Sequence, residues 1–469
     1  MNQTFISSDA IRHEFSMAMS VMYQTEVPLY GDLLDLVTEV NTKVLTDHPE
    51  IKEQLEHTEE IDRLSMERHG AIRLGTADEL SMMRRLFAVM GMYPVGYYDL
   101  APAGVPVHST AFRAIDAQAL NQSPFRVFTS LLRLDLIADE ALKQKAITAL
   151  ANRNIFTDTA ISLIERFEEQ GGLTLDEGEQ FVKAALETFR WHDETPISKE
   201  LYQRLLEQHG LIADVVGFKG PHINHLTPRT LDIDVVQQGM QAKGIPPKAI
   251  IEGPPRRDCP ILLRQTSFKA LEEAVSFKNS EGEYEEGHHT ARFGEIEQRG
   301  VALTPKGRAL YDQLLSQARS QLGATPNADN APQYYEILER VFEAFPDDYY
   351  AMHNEGLAYF YYQPVDSTAD INSVSDLETF TSKQAINALI DKGAVRLEPI
   401  VYEDFLPVSA AGIFQSNLQQ DKQSNYDGHS NQHEFEQALG ACVYDELSLY
   451  EDIQAKSLEK CLMSLASYE

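Results

Sequence analysis

Residues 222–244 read HINHLTPRTLDIDVVQQGMQAKG, a run of strand-forming residues followed by a helix that ends at a glycine. The pattern predicts the helix over 231–243, with Gly244 at the C′ position that favours glycine. Short runs rich in strand formers flank this stretch: LIADVVGF (211–218), CPILLRQTSF (259–268) and ARFGEIEQRG (291–300). The polar segment 279–289 is predicted to be a hairpin loop. The order strand, helix and three strands indicates an α+β unit.

Helical patterns predominate on both sides of this unit. Thr76 and Glu79 form a capping-box pattern that opens a helix over 77–90. Other segments with helical spacing of apolar residues are 9–23, 33–44, 140–153, 174–190, 198–209, 306–322 and 334–344. Strands are predicted at 92–100, 107–115 and 123–134, and strand followed by loop at 395–414. We expect one compact unit with a helical elaboration rather than three separable domains.

The charge balance excludes one class of partner. The chain has 469 residues, with 40 Lys and Arg against 72 Asp and Glu, for a formal net charge of −32. Nucleic acids and anionic membranes require a basic face, so neither is an expected partner. Neither a signal-peptide pattern nor a membrane-spanning run is visible, and we expect a cytoplasmic protein. The three cysteines are far apart, which disfavours disulfides and thiolate zinc sites.

A histidine and an arginine four residues apart, His69 and Arg73, lie in MERHGAIRLG (66–75). On a helix or on a strand this spacing places both side chains on one face. A candidate metal ligand would then lie beside a permanent cation that can bind a carboxylate through two hydrogen bonds. A pair on a helix surface is the alternative that the spacing leaves open.

Further candidate ligands lie in the strand-rich unit. His225 is predicted at the end of a short strand, facing a cavity, with His222 on the other side. Glu295 and Glu297 share one face of a predicted strand, where a buried carboxylate needs a positive partner or a metal. The alternatives are a hydrogen-bonded core histidine and a solvated strand edge on which Glu297 pairs with Arg299.

Together, His69, His225 and Glu295 would supply two neutral imidazoles and one carboxylate. This set leaves three positions open on a six-coordinate Fe(II), enough for a chelating 2-oxo acid and O2. Nucleotide-binding and hydrolase motifs are absent. Most other histidines are predicted to be solvated, and the adjacent His288 and His289 would point to opposite faces of a strand. Backbone amides of the loop LPVSAAGIF (406–414) would approach a substrate carboxylate, unless this loop is only a tight packing turn.

Four segments carry a resemblance to a known family: MERHGAIRLG (66–75), GFKGPHINHLTPRTLDID (217–234), FGEIEQRGVALT (293–304) and YEDFLPVSAAGIFQSN (402–417). Over about residues 5–440 the chain resembles the 2-oxoadipate dioxygenase/decarboxylase family, also called hydroxyglutarate synthase. This family is related in fold to the vicinal-oxygen-chelate superfamily. The resemblance implies an α+β fold with a central mixed, curved β-sheet of that type, an extensive helical N-terminal part and added C-terminal helices.

The resemblance also implies a division of labour along the chain. Within one catalytic unit over 1–469, residues 1–210 would form a mainly helical elaboration. Residues 211–300 would form the metal-binding module, and 301–469 would supply helices and a substrate loop that returns to the core.

The site residues implied by the resemblance are specific. His69, His225 and Glu295 would bind Fe(II); Glu295 is preferred to Glu297 because EIEQR resembles the E-x-I-Q-R strand of related dioxygenases, whose first glutamate binds iron. Arg73 would bind a substrate carboxylate. Two loop residues, Val408 and Ser409, would contact the substrate, although Val401 lies close by along the chain.

The implied activity is conversion of 2-oxoadipate and O2 to 2-hydroxyglutarate and CO2 in lysine catabolism. The partners would be a small 2-oxo dicarboxylic acid and O2, whereas the oligomeric state is left open. Two other classes also stay open. One is a divalent-metal lyase or isomerase of glyoxalase type, which needs no O2. The other is a non-enzymatic metal-dependent protein that binds 2-oxo acids.

Overall fold

The computed structural model describes residues 4–278, 283–365, 383–406 and 428–466. The α-helices in these ranges are α1 Ser8–Glu26, α2 Pro28–Asp47, α3 Pro49–His57, α4 Ala77–Val89, α5 Ala117–Gln122, α6 Glu140–Ala151, α7 Asp158–Gln170, α8 Leu175–Leu186, α9 Lys199–Gln208, α10 Gly210–Gly217, α11 Ile233–Ala242, α12 Pro305–Leu322, α13 Ala331–Phe342, α14 Tyr349–Glu355, α15 Lys383–Asp391, α16 Gly428–Leu439 and α17 Glu446–Ala466. The strands are β1 Arg68–Leu74, β2 Tyr93–Asp99, β3 Val107–Arg113, β4 Arg126–Leu132, β5 Glu194–Thr195, β6 Leu226–Pro228, β7 Leu263–Ser267, β8 Glu272–Lys278, β9 Tyr284–Thr290, β10 Glu295–Arg299, β11 Phe360–Pro364 and β12 Val395–Pro399.

The predicted helix boundaries follow from local side chains. The Thr76 side chain accepts a hydrogen bond from the backbone N–H of Glu79 and caps α4. The Glu79 carboxylate does not complete the capping box; it accepts from the N–H of Gly75 and binds Arg153. At the other predicted boundary, α11 ends just before Gly244, which has φ +74° as a C′ glycine requires.

Two sequence-based predictions of secondary structure are wrong. The run LIADVVGF forms helix α10, whose residues from 211 to 217 are all buried. A fully buried helix has no polar face, so its apolar run cannot be told from a strand by periodicity. Most of the predicted hairpin loop 279–289 belongs to strand β9, since β9 starts at Tyr284 and pairs with β8 along its length. This strand is rich in glutamate and mostly exposed, which hides the alternation typical of a strand.

The sheet that carries the candidate site has the strand order β2-β3-β4-β1-β6. Strand β1 pairs in parallel with β4, and the other neighbours are antiparallel. Just after β6, the chain lies beside β10: the N–H of Thr230 donates a hydrogen bond to the carbonyl of Glu297, at 2.7 Å. Strand β10 in turn pairs with β7. Strands from the first and the middle thirds of the chain therefore meet side by side.

The two faces of this sheet are covered by different helices. Ile72 and Leu74 of β1 point into a core that includes Phe15 and Phe87 from α1 and α4. Ala71, on the opposite face, belongs to a second core formed with α6, α9 and α10. Because side chains alternate along a strand, His69 and Arg73 lie on the same face as Ala71.

The predicted α+β class is confirmed, with a mixed central sheet and helices from both ends of the chain. The relation to the vicinal-oxygen-chelate superfamily and the division at residues 210 and 300 stay predictions. None of the helices in the described ranges combines the length with the apolar composition that a bilayer span requires.

Candidate metal centre

Two imidazoles and one carboxylate converge in the interior of the protein. His69 Nε2 lies 3.1 Å and His225 Nε2 lies 3.4 Å from the same oxygen, Oε2 of Glu295. All three side chains are fully buried, and their ligand atoms lie within 4.8 Å of one another. The structure thus brings together the three residues that the sequence singled out.

The local backbone explains how these residues meet. His69 is the second residue of β1 and stands opposite Thr227 of β6. His225 immediately precedes β6, rather than ending a strand as predicted, and Glu295 is the first residue of β10. The Thr227 hydroxyl donates to Glu295 Oε2 at 2.9 Å, which orients the carboxylate.

Two glycines allow the segments to approach so closely. A Cβ on Gly70 would lie 2.5 Å from the Ile223 side chain and 3.0 Å from the His225 carbonyl. A Cβ on Gly294 would lie 2.2 Å from the ring of Phe268. Each glycine is adjacent to a candidate ligand, so the positions of His69 and Glu295 depend on these contacts.

The donor atoms of this cluster fit a metal ion. Three of these atoms have no hydrogen-bond partner among the described residues: both ring nitrogens of His225, and Oε1 of Glu295. Buried polar atoms without partners are costly, and a bound cation would satisfy them. Two histidines and one carboxylate suit a divalent transition metal.

The electrostatic setting also favours a cation. Burial lowers the pKa of His225 well below its usual value, and the charges of His69 and Arg73 add to this effect. His225 is therefore neutral and able to coordinate. Burial alone would lower the pKa of His69, but Glu297 and Glu295 raise it overall. A proton on His69 would thus compete with a metal ion for the ring.

Glu297 lies on the other side of His69. Its Oε2 is 3.1 Å from His69 Nδ1, and Arg299 binds it through Nε at 2.8 Å and Nη2 at 2.9 Å. Burial opposes ionisation, but Arg299 and His69 lower the pKa of Glu297 to about 2. The predicted pairing of Glu297 with Arg299 forms, although in the interior and not at a solvated edge.

Behind the site lies a buried network of charged side chains. It contains four arginines and four glutamates: Arg63, Arg126, Arg229, Arg299, Glu60, Glu67, Glu297 and Glu403. Arg63 binds Glu403 through two hydrogen bonds of 2.9 Å, and Arg126 contacts the same carboxylate. Glu297 joins this network to the candidate ligands, since it contacts both Arg299 and His69. A network of paired buried charges restricts the movement of its members.

The chain segment that leads to the predicted substrate loop is tied to this network. Glu403 belongs to the network. The next residue, Asp404, accepts two hydrogen bonds of 2.7 and 2.9 Å from Arg113, which lies outside it. Phe405 then packs edge-on against His69, with ring centroids 4.9 Å apart. Val408 and Ser409 lie outside the described residues.

Arg73 lies on the same sheet face as His69 and is largely buried, with 8% exposure. Its Nη1 donates to Asp214 Oδ2 at 2.7 Å. Asp214 belongs to a second buried group with His222 and His289, which sequence reasoning missed. One signal was available: Asp214 interrupts the apolar run LIADVVGF, and a carboxylate buried in such a run must be paired.

Comparisons with known proteins find similar sequences and structures over nearly the whole chain. A family model described as 2-oxoadipate dioxygenase/decarboxylase matches residues 15–417. A Pseudomonas putida protein of that name is 58% identical over 98% of both chains, and one from Escherichia coli is 53% identical over 97% of this chain and 98% of the other. The crystal structure of a Pseudomonas putida hydroxyglutarate synthase in complex with 2-oxoadipate matches with a TM-score of 0.90 and 56% identity, covering 98% of this chain and 99% of the other.

Proposed function

The chain belongs to the 2-oxoadipate dioxygenase/decarboxylase family, and on this premise we propose that it converts 2-oxoadipate and O2 to 2-hydroxyglutarate and CO2 with Fe(II). One oxygen atom enters the new carboxylate and the other the new hydroxyl group, so the reaction balances without a second 2-oxo acid. The proposal includes a role in lysine catabolism and a cytoplasmic location. The observation that supports it best is the convergence of three buried ligands with unpartnered donor atoms.

In this proposal His69, His225 and Glu295 hold the metal. When bound, Fe(II) would supply the positions at which a 2-oxo acid chelates and O2 reacts. Thr227 fixes the Glu295 carboxylate by a hydrogen bond. Fixed ligands keep the geometry of the site independent of substrate binding.

The remaining residues would orient the substrate and exclude water. Arg73 would bind the distal carboxylate, and Val408 and Ser409, which the sequence predicts to lie in a loop, would contact the substrate. Phe405 covers His69, and Phe293 packs on His225 with ring centroids 5.0 Å apart. These apolar walls keep the surroundings of the ligands dry and thereby strengthen electrostatic interactions within the site.

The proposal must account for an anionic substrate in a chain of net charge −32. A dicarboxylate is repelled by the overall charge unless the pocket is locally positive. Fe(II) and Arg73 together would contribute about three positive charges. The carboxylates of Glu295 and of Asp214, which Arg73 binds, contribute two negative charges, and Arg299 balances Glu297. The local field would therefore attract the substrate in spite of the global charge.

The decisive experiment measures O2 consumption by protein loaded with Fe(II) under anaerobic conditions and then offered a panel of 2-oxo acids. We expect uptake of O2 with 2-oxoadipate and formation of equimolar 2-hydroxyglutarate. Replacing His69, His225 or Glu295 by Ala should abolish both turnover and metal retention. The matched control is His353→Gln, a buried histidine on α14 that hydrogen-bonds Tyr362 and should retain both.

Other outcomes of this experiment would indicate a different function or a different set of ligands. Turnover without O2 by zinc- or nickel-loaded protein would replace the proposal by a lyase or isomerase of glyoxalase type. Binding of 2-oxoadipate without any product in aerobic, iron-loaded protein would indicate a binding protein. Retained metal and turnover in one of the three alanine variants would remove that residue from the site.

A further inference from the structure

The second buried group of side chains, which we call the Asp214 cluster, consists of Asp214, His222 and His289. Asp214 lies on α10, His289 lies on β9, and His222 precedes β6. Asp214 Oδ1 is 2.9 Å from His289 Nε2 and 3.3 Å from His222 Nε2, while Oδ2 accepts the hydrogen bond from Arg73. The carboxylate is thus held by hydrogen bonds from Arg73 and His289, and the buried Nε2 of His222 lies beside it without a hydrogen bond.

His289 is itself fixed at both ring nitrogens. Since Nε2–H donates to Asp214, Nδ1 accepts from the Tyr202 hydroxyl on α9, at 2.6 Å. Trp191 stacks on His289 with ring centroids 6.0 Å apart and packs edge-on against His222 at 4.7 Å. These contacts leave the Asp214 carboxylate little freedom to rotate.

The contacts of this cluster are better explained by fixing the Asp214 carboxylate in place than by binding a second metal ion. One oxygen of Asp214 is already bound to a guanidinium, and both nitrogens of His289 are used. A divalent ion here would also lie next to the permanent positive charge of Arg73, which would repel it.

We propose that Asp214 is a positioning residue that holds the Arg73 guanidinium where it binds the distal carboxylate of the substrate. The cluster would thereby set the preference for 2-oxo dicarboxylates over 2-oxo monocarboxylates. This inference rests on the proposed function, in which Arg73 binds that carboxylate.

Distance and chemistry support this role. His69 and Arg73 are four residues apart on β1, roughly 13 Å between Cα atoms. A six-carbon dicarboxylate that chelates a metal at His69 can reach the guanidinium of Arg73, near the C-terminal end of β1. A guanidinium has five N–H donors, so it can bind Asp214 and a second carboxylate together. Holding it in advance removes the rotamer entropy that a free arginine would lose on binding.

The test compares two ligands that differ only in the distal carboxylate, 2-oxoadipate and 2-oxohexanoate. Their dissociation constants are measured by calorimetry on zinc-loaded protein without O2, so that no turnover is needed. The principal variant is Asp214→Glu, which keeps the charge but displaces the carboxylate, and the second is Asp214→Asn. We expect both to weaken 2-oxoadipate about tenfold or more, and 2-oxohexanoate by less than about twofold.

The matched control is Asp234→Asn, which removes the carboxylate of another Arg–Asp ion pair, in which Arg264 binds Asp234 through two hydrogen bonds. It should leave the ratio of the two dissociation constants unchanged. Tyr202→Phe removes only the hydrogen bond to His289 and should lower the preference by a smaller factor than Asp214→Glu. A folded Tyr202→Phe variant keeps the inference testable if Asp214 cannot be replaced.

Three results would overturn the inference. Equal weakening of both ligands would indicate a purely structural role for Asp214. Wild-type affinity for both ligands in Asp214→Glu, or tighter binding of 2-oxoadipate by Asp214→Asn, would mean that Asp214 only balances charge. The proposed function is decided separately, by O2 consumption and product formation of the wild-type enzyme; a binding preference that depends on Asp214 in a protein without turnover would refute the reaction but not the positioning role.

Discussion

Glu297 Oε2 lies 3.1 Å from Nδ1 of His69, the ring nitrogen opposite the one that faces Glu295. A carboxylate this close to Nδ1 favours a proton on that nitrogen, which leaves the opposite nitrogen, Nε2, available as a ligand. Nε2 is the atom that lies 3.1 Å from Glu295. The two glutamates of EIEQR therefore have different roles around one histidine: Glu295 is the candidate ligand, and Glu297 supports His69.

We predict that Glu297→Gln weakens metal binding by about 10- to 100-fold without abolishing it, because the ligand set is retained while the support of His69 is lost. Competition with a chelator for Zn(II) measures the change. Glu295→Gln is the comparison, since it removes a ligand and should abolish stoichiometric binding. If Glu295→Gln retained the metal and Glu297→Gln lost it, the two assignments would have to be exchanged.

A second prediction concerns the buried charge network. Glu403→Gln should lower the free energy of unfolding by about 3–5 kcal/mol, because it leaves Arg63 and Arg126 without their shared carboxylate in the interior. Urea denaturation measures this loss. The control is Glu168→Gln, which breaks an equally bidentate pair with Arg85 at the surface and should cost less than about 1 kcal/mol. Equal costs for the two variants would show that burial of the network does not matter.

Local patterns in the sequence predicted the first part of the site well. The spacing of four predicted a common face for His69 and Arg73 on either a helix or a strand, and a period of two predicted one for Glu295 and Glu297 on a strand. Both pairs lie on strands in the structure. Spacing could not tell which nitrogen of His69 each glutamate faces, since that depends on how β10 lies against β6. The resemblance of EIEQR to a known strand supplied the preference for Glu295.

The Asp214 cluster could not be predicted in the same way. Asp214 lies on α10, which was predicted to be a strand, and His289 lies on β9, which was predicted to be a loop. His222 lies before β6. No short-range pattern links residues 214, 222 and 289, because their contact arises from the packing of α10 against β9 and the sheet. The adjacent residues His288 and His289 lie on opposite faces of β9, as predicted, since His289 is buried and His288 is exposed.

A third prediction tests the close approach at the start of β10. Gly294→Ala should lower the free energy of unfolding by about 1–3 kcal/mol and weaken metal binding, because its Cβ would overlap the buried ring of Phe268 and displace Glu295. The control is Gly31→Ala in α2, where a Cβ meets nothing within 4 Å. That variant should be stabilised by about 0.5–1 kcal/mol through helix propensity. Thermal denaturation and zinc titration distinguish the two; stability and metal affinity unchanged in Gly294→Ala would contradict the packing argument.

The last prediction is a pH dependence of stability that arises at the start of α17. Burial, with the nearby charge of Asp404, raises the pKa of Glu446 to about 7, and its Oε2 accepts a hydrogen bond from Tyr98. The folded state thus binds this proton more tightly than the unfolded chain, and Glu446 lowers the free energy of unfolding as pH rises from about 4.5 to 7. Glu446→Gln should remove this penalty, stabilising the protein by about 3 kcal/mol at pH 8 and hardly at all at pH 4.5. Urea denaturation at both pH values measures the difference, with Glu451→Gln on the exposed side of the same helix as the control. A gain that is the same at both pH values would show that the carboxylate of Glu446 is not responsible.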